Sequence, residues 1–292
     1  MRPVTTQTDR RRRPWLLLPI GLIALVLAAC SGNSTALTST TTTLSHTSTT
    51  NPGSTTTTTS PTQRSYVLYF LRGSQLGVSQ RVVASASDSH FQAITALVAG
   101  INPTESAAGL STAIPAGTTV RGLEIRNGVA TVNLSPQFVT TAPTVQLADR
   151  VAQVVYTLTS SPTVTGVIIE VGGTQIVNLG GVNLSSAVGR AQVTGSLPLI
   201  LLEQPAVGGS MTGKITISGV TAASGTYDVQ LLDPTGKLLA SVTDTAVSGG
   251  TFVQSVPFTI TSAETGTVRV FGRPTSTSQP VQEYQFTVPI AP

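Results

Sequence analysis

Sulfur, indole and imidazole are nearly absent from this chain of 292 residues. It holds one cysteine, Cys30, one tryptophan, Trp15, and two histidines, His46 and His90. A single cysteine excludes an internal disulfide and any cysteine-built metal site. Two histidines, one of them far outside any patterned segment, exclude a histidine-rich zinc site. Charge is equally scarce, at 10% of residues. Five of the sixteen basic residues and one of the twelve acidic residues lie in positions 1–30, so eleven of each sign remain and the rest of the chain is neutral. That balance argues against nucleic-acid binding, which needs a basic footprint, and against broad capture of an acidic polymer. The chain also lacks a Gly-x-Ser-x-Gly elbow, a Walker lysine and a dinucleotide fingerprint. No cofactor is implied.

What is present is organised by the first thirty residues. Arg10–Arg13 precede an uncharged apolar run from Trp15 to Ala29, which ends in Leu27-Ala28-Ala29-Cys30. A positive start, an apolar core and small residues before a cut site form an export signal. The run is shorter than the roughly twenty residues of a membrane span. Leu-Ala-Ala-Cys resembles the lipobox of bacterial lipoproteins, which implies cleavage before Cys30 and acylation of its thiol and new amine. Cys30 is then the lipidation site and membrane lipid the first partner, with the chain on the outer face of the cytoplasmic membrane. Two or three acyl chains anchor far more firmly than one. An uncleaved anchor and a soluble secreted form with an incidental cysteine are the alternatives. The arginines also allow twin-arginine export, although Asp9 and Pro14 fit that pattern poorly.

From Ser31 to Thr62, 22 of 32 residues are serine or threonine and none is charged. Such a segment cannot recover the entropy of folding by burying surface. Residues 31–64 are expected to be a disordered linker, spanning about 30–40 Å as a coil and about 110 Å when stretched. Its threonine density also resembles O-glycosylated stalks.

Residues 65–190 read as a small α/β domain. Tyr66–Leu71 fits a buried strand, and a second strand is expected around Val82 and Val83. Asp88 or Ser89 caps a helix carrying Phe91, Ile94, Leu97 or Val98, and Ile101, with Asn102-Pro103 ending it. Residues 118–134 alternate on both sides of Asn127-Gly128, a type I′ hairpin signal, with Gly122 breaking the alternation. A helix opened by Pro143-Thr144 places Leu147, Val151, Val154 and Leu158 on one stripe, with Asp149, Arg150 and Gln153 expected to face away. A strand over Val164–Val171 ends at Gly172-Gly173. The predicted unit is a mixed sheet with helices on one face. The words FQAITALVAGINPTE, LSTAIPAGTTVRGLEIRNGVATVNLS and LADRVAQVVYTLTSSPTVTGVIIEVGG resemble the GerMN domain family of spore-germination proteins. Members also occur as lipoproteins of bacteria that make no spores, so the resemblance implies an envelope module rather than germination as such.

Residues 198–292 change pattern. Seven β-prone runs recur with turns between them, among them KITISGV, TYDVQLLD and GTVRVFGRP, with Asp233-Pro234-Thr235-Gly236 as one turn. About seven strands without a helical stripe indicate an antiparallel immunoglobulin-like sandwich, held by apolar packing because the usual cysteine pair is missing. Core candidates are Val229, Leu231, Phe252, Val256, Phe258, Val268, Val270, Tyr284 and Phe286. This segment resembles the Gmad2 domain, an immunoglobulin-like module found beside GerMN in envelope proteins. The VFGRPTSTSQ stretch is poorer in acidic residues than that family.

Catalysis has little support. His46 lies in the linker, and His90 reads as a polar helix-start residue. A glycosidase would need two carboxylates across a cleft, and Asp88, Glu105, Glu124, Asp149 and Glu170 offer no assignable acid and base. The candidate partner-binding surface is Arg121, Glu124 and Arg126 at the hairpin, Glu170 on the following strand, and Arg273 in an expected loop of the sandwich, Arg273–Gln279. The leading expectation is a non-catalytic envelope lipoprotein that presents two modules to an envelope protein complex or the cell wall. Direct peptidoglycan or carbohydrate binding is the second reading; a shallow groove with exposed aromatics would favour it, while the position of the one tryptophan, Trp15, in the expected signal counts against it. A wall-active hydrolase and a solute-binding lipoprotein fit less well.

Overall fold

The computed structural model describes residues 63–84, 89–276 and 281–292. The expected signal, Cys30, the serine/threonine-rich segment up to position 62, and Asp88 lie outside the described residues. The described residues belong to one compact unit.

The α/β part begins with a hairpin, β1 (Gln63–Arg72) and β2 (Gln75–Ala84), paired over its whole length. Helix α1 (Ser89–Val98) buries Ala93, Ile94, Leu97 and Val98, while Phe91 stays exposed. The helix stops at Gly100, in the left-handed region at φ +89°, and not at Asn102-Pro103. Asn102-Pro103 instead starts a second helix, α2 (Pro103–Ala107). Asn102 accepts from the Glu105 amide while the Glu105 carboxylate accepts from the Asn102 amide, a reciprocal cap that satisfies two otherwise orphaned donors.

Next come β3 (Val120–Arg126) and β4 (Val129–Leu134), joined through Asn127 (φ 49°) and Gly128 (φ 78°), both positive as a type I′ turn requires. The register shifts between Val120 and Gly122, which explains the broken alternation. After α3 (Thr144–Leu158), β5 (Gly166–Val171) pairs parallel with β4, and β6 (Thr174–Gln175) returns through Gly172-Gly173. The sheet order is β3-β4-β5-β6, and β1–β2 pairs outside it. A small hairpin, β7 (Asn178–Leu179) and β8 (Val182–Asn183), follows.

Helix α3 departs most from expectation. Every residue from Asp149 to Leu158 is buried, including Asp149, Arg150 and Gln153. These three do not face solvent, because α3 is packed by β1, α1 and β5 and by the β7 and 190–196 segments. Buried polar side chains must then be satisfied inside the protein. Arg150 donates to the carbonyls of Ala113, Phe138 and Thr140 at 2.8–2.9 Å. Gln153 accepts from the Ala113 amide and donates to the Tyr69 carbonyl. Asp149 accepts from the Ser196 hydroxyl at 2.6 Å.

The β-rich part holds β9 (Ile200–Gln204), β10 (Met211–Thr212), β11 (Lys214–Thr221), β12 (Gly225–Leu232), β13 (Leu238–Ala246), β14 (Thr251–Pro257), β15 (Glu264–Pro274) and β16 (Gln282–Ala291). One group runs β13-β12-β15-β16 and the other β9-β11-β14. The two-residue β10 joins them, parallel to β16 and antiparallel to β11. The seven expected runs are all strands. Val229, Leu231, Phe258, Val268, Val270 and Phe286 are buried, whereas Phe252, Val256 and Tyr284 are only partly so. Asp233 closes its turn by accepting from the amides of Thr235 and Lys237.

The two parts are locked together. The Gln80 amide donates to the Val207 carbonyl at 2.7 Å, which carries β2 onto the sandwich backbone. Tyr69 donates to Glu203, and Arg190 binds Glu203 at 2.8 Å and the Tyr69 oxygen at 2.9 Å. The Arg190 guanidinium also covers the Tyr69 and Tyr156 rings at 5.2 and 4.7 Å, and that of Arg72 covers Tyr284 at 4.5 Å. Burial and the neighbouring Glu203 push the Tyr69 phenol well above its usual range. Replacing Arg190 by Ala leaves Glu203 and Tyr69 facing each other without the cation, and is expected to cost about 2–3 kcal/mol. In urea, circular dichroism and tyrosine emission should report one shared transition at a lower midpoint.

Candidate functional site

Four of the five expected surface residues come together on the β3–β6 sheet. Alternation sends Ala130, Val132, Leu134, Val167 and Ile169 inward and fully buries them. The opposite face is less covered. Across it, Glu124 stands opposite Thr131, which stands opposite Ile168, and Gly122 aligns with Asn133, Glu170 and Gln175. Arg126 pairs with Glu124 at 2.5 Å, both side chains largely exposed, so the pair adds little stability. Arg121 falls at the register shift, and its guanidinium lies beside the Gly172 turn, 3.9 Å from where a Cβ would stand. The Gly173 amide donates to Asn133 at 3.0 Å and fixes that turn. The face therefore offers two arginines and two glutamates on a rigid sheet, with β3 as its edge strand.

Arg273 is elsewhere, in the sandwich and within β15 rather than in a loop. It sits at the end of a shallow groove of about 390 Å³ lined by Thr226, Asp228, Gln230, Thr243 and Phe271. The register places Thr243, Asp228, Phe271 and Glu283 in one row across four strands. Asp228 is held by Gln230 at 2.6 Å and Thr243 at 3.0 Å. Phe271 is half-buried and shares strand parity with Arg269 and Arg273, opposite buried Val268 and Val270. An aromatic on the polar parity of a strand was the readable signal for this groove.

Of the other acids named from the sequence, Glu105 is committed to structural contacts. Glu105 is buried and bound by Arg81 through Nε at 2.8 Å and Nη2 at 2.6 Å, and by Ser79 at 2.6 Å. Its partners make it a structural anchor between α2 and β2. Among the described residues no group of three or more His, Cys, Asp or Glu side chains could hold a metal ion. His90 is the second residue of α1 and half-buried.

Burial alone would raise the Glu105 carboxyl, but the hydrogen bonds from Arg81, Ser79 and the Asn102 amide outweigh it and hold the group below its ordinary value of 4.5. The stability it supplies is therefore complete above that value and is lost as pH falls through the lower, folded one. Glu105→Gln should cost about 3 kcal/mol at neutral pH and remove that part of the acid dependence, as read from urea midpoints across pH 2–7.

Comparison with known proteins bears on the α/β part. Residues 67–177 match the family model described as Germane, sporulation and spore germination. The first GerMN domain of the sporulation protein GerM from Bacillus subtilis aligns at 21% identity over 44% of this chain and 98% of its own, with a TM-score of 0.39. The tandem GerMN domains of the same protein align at 18% identity over 65% of this chain and 62% of theirs, with a TM-score of 0.42. A candidate lipoprotein from Clostridium perfringens aligns at 20% identity over 44% of this chain and 89% of its own, with a TM-score of 0.33. No curated protein matches the chain. Among the described residues no helix is long and apolar enough to cross a membrane. With the family model spanning β1 to the segment after β6, the α/β part of this chain is a GerMN-like domain.

Proposed function

We propose that this chain is a non-catalytic extracytoplasmic lipoprotein. It is held by acylated Cys30 and presents a GerMN-like domain and a Gmad2-like sandwich to an envelope protein assembly. The observation that carries this reading is the Germane match over residues 67–177, downstream of a segment patterned like an export signal and a lipobox-like Leu-Ala-Ala-Cys. The surface on offer to a protein partner is the β3–β6 face with Arg121, Glu124, Arg126 and Glu170. Rigid scaffolds commonly carry binding on such exposed strands and turns, and an edge strand can accept a partner strand. Near-zero charge beyond residue 30 means that attraction must come from placed groups and not from bulk field.

A second reading rests on the sandwich groove, where Phe271 lies beside Asp228, Gln230 and Arg273. An aromatic face with fixed hydrogen-bonding groups suits a saccharide, which makes cell-wall glycan a direct ligand.

Intact mass of the protein from cell membranes should show a mature chain beginning at an acylated Cys30. Photo-crosslinkers at Arg126 or Glu124 in intact cells should capture one recurring envelope protein, and a probe at Lys237 should not. A water-soluble chain starting elsewhere, or equal capture from all positions, would sink the first reading. For the second, purified protein should sediment with isolated peptidoglycan, and Phe271→Ala should reduce the bound fraction at least about fivefold. Binding unchanged by that substitution removes the groove from consideration.

A further inference from the structure

Asp149 is the buried charge that the surface readings do not use. It is 4% exposed and begins the stretch of α3, Asp149–Leu158, in which every residue is buried. Among the described residues its polar partner is Ser196, which donates to Oδ1. Its neighbour Arg150 is turned to the carbonyls of Ala113, Phe138 and Thr140, and among the described residues no cation pairs with Asp149. A carboxylate taken out of water without a counter-charge is costly.

The side chain lies on the wall of a cleft of about 520 Å³ between α3, the β7–β8 hairpin and the 190–196 segment. Val145, Ala148, Ala152, Val182 and Val193 form its apolar wall, Ser196, Asn183 and Gln192 add polar groups, and Asp149 is the only ionisable residue among those that line it. The cleft is structurally fixed. Gly180, in the β7–β8 turn at φ +61°, lies so close to α3 that a Cβ there would come within 2.2 Å of the Ala148 nitrogen. Its size falls in the range of small-ligand sites, which are mostly apolar with few placed polar groups.

We propose that this cleft binds a primary alkylammonium group, with its methylene chain along the apolar walls and its charge on Asp149. Asn183 Oδ1 already accepts from Ser185 and Gln192 Oε1 from the Gly189 amide, so the side-chain oxygens left, one carboxylate and one hydroxyl, are too few for a calcium ion. Ser196 already occupies Oδ1, which leaves one oxygen for a point charge instead of the two that a guanidinium fork prefers. A neutral alcohol would leave the buried charge uncompensated. The same chemistry is carried by a free diamine and by the amino-terminated side chain of a peptide. The cleft reading does not depend on the surface reading above.

The state of Asp149 supports a binding role over a structural one. Burial raises its carboxyl above the ordinary value, and the Ser196 hydrogen bond only partly offsets this. A raised folded value means that its contribution to stability is full at low pH and is lost as pH rises through that value, so the ionised group weakens the fold at neutral pH. Asp149→Asn keeps an acceptor for Ser196 and removes the charge. Its urea midpoint at neutral pH should be at or above that of the parent.

The test uses the full chain in detergent, titrated by NMR with cadaverine, with Nα-acetyl-lysine methylamide, and with pentanol as the neutral control. Saturable binding of an amine with a dissociation constant on the order of 1 mM or tighter is expected, without binding of pentanol. Preference between the two amines distinguishes a free diamine from a peptide side chain. Asp149→Asn should weaken binding at least about tenfold. In the parent, the Asp149 carboxyl-carbon titration should move to lower pH when amine is added, a readout that stands even if the variant folds poorly. Equal affinity in parent and variant, an unmoved Asp149 titration, or no amine binding at 20-fold above about 1 mM overturns the proposal.

Discussion

From Asp149 to Leu158 helix α3 has no face left for water, and most of the architecture follows from that constraint. A helix buried all round must satisfy its polar side chains within the protein. Gln153 answers by tying the Ala113 amide and the Tyr69 carbonyl to one side chain, and Arg150 gathers three carbonyls from the segments flanking β3 and β4. Thr157 accepts from the Tyr69 amide at 3.1 Å, so the helix holds β1 by polar contacts as well as by apolar packing. These bonds explain how β1–β2, which has no partner strand in the main sheet, is nevertheless fixed.

The same helix reaches the sandwich. Tyr156 on α3 and Tyr69 on β1 flank Arg190, which then grips Glu203 on β9. Two modules that read as separate in sequence are thus joined by a partly desolvated charge held between aromatic rings. Such contacts are stronger than their exposed equivalents. They also specify one docking angle, because the guanidinium plane must suit both rings and the carboxylate at once.

Much of this was legible. Recurring β-prone runs with turns between them located all seven long sandwich strands, and Asn127-Gly128 located the hairpin. Strand β10 was not readable, because two residues carry no period. The second helix was readable but misassigned. Asn102 three residues before Glu105, with proline between them, is a helix-start pattern, and Gly100 is the true stop. The burial of Asp149, Arg150 and Gln153 was obscured by treating the stripe through Leu147, Val151, Val154 and Leu158 as one-sided. Yet Val151 to Leu158 is apolar almost all round, which is the mark of an interior helix. Of the surface residues, Arg121, Glu124, Arg126 and Glu170 were named from local pattern. Their gathering on one face depends on the β4–β5 parallel register, which no local pattern encodes. Arg273 carried a hint of the sandwich groove, but Phe271 is what gives that groove its chemistry.

The backbone link from Gln80 to Val207 has a consequence for recognition. With β2 hydrogen-bonded onto the sandwich and Arg190 clamped across the junction, the α/β sheet face and the Phe271 groove are kept at a constant spacing. A target with two epitopes at that spacing would gain a large effective molarity for its second contact, while one with a different spacing would gain none. Were both surfaces to bind as proposed, the junction would act as a gauge, selecting by distance among targets whose individual contacts are alike.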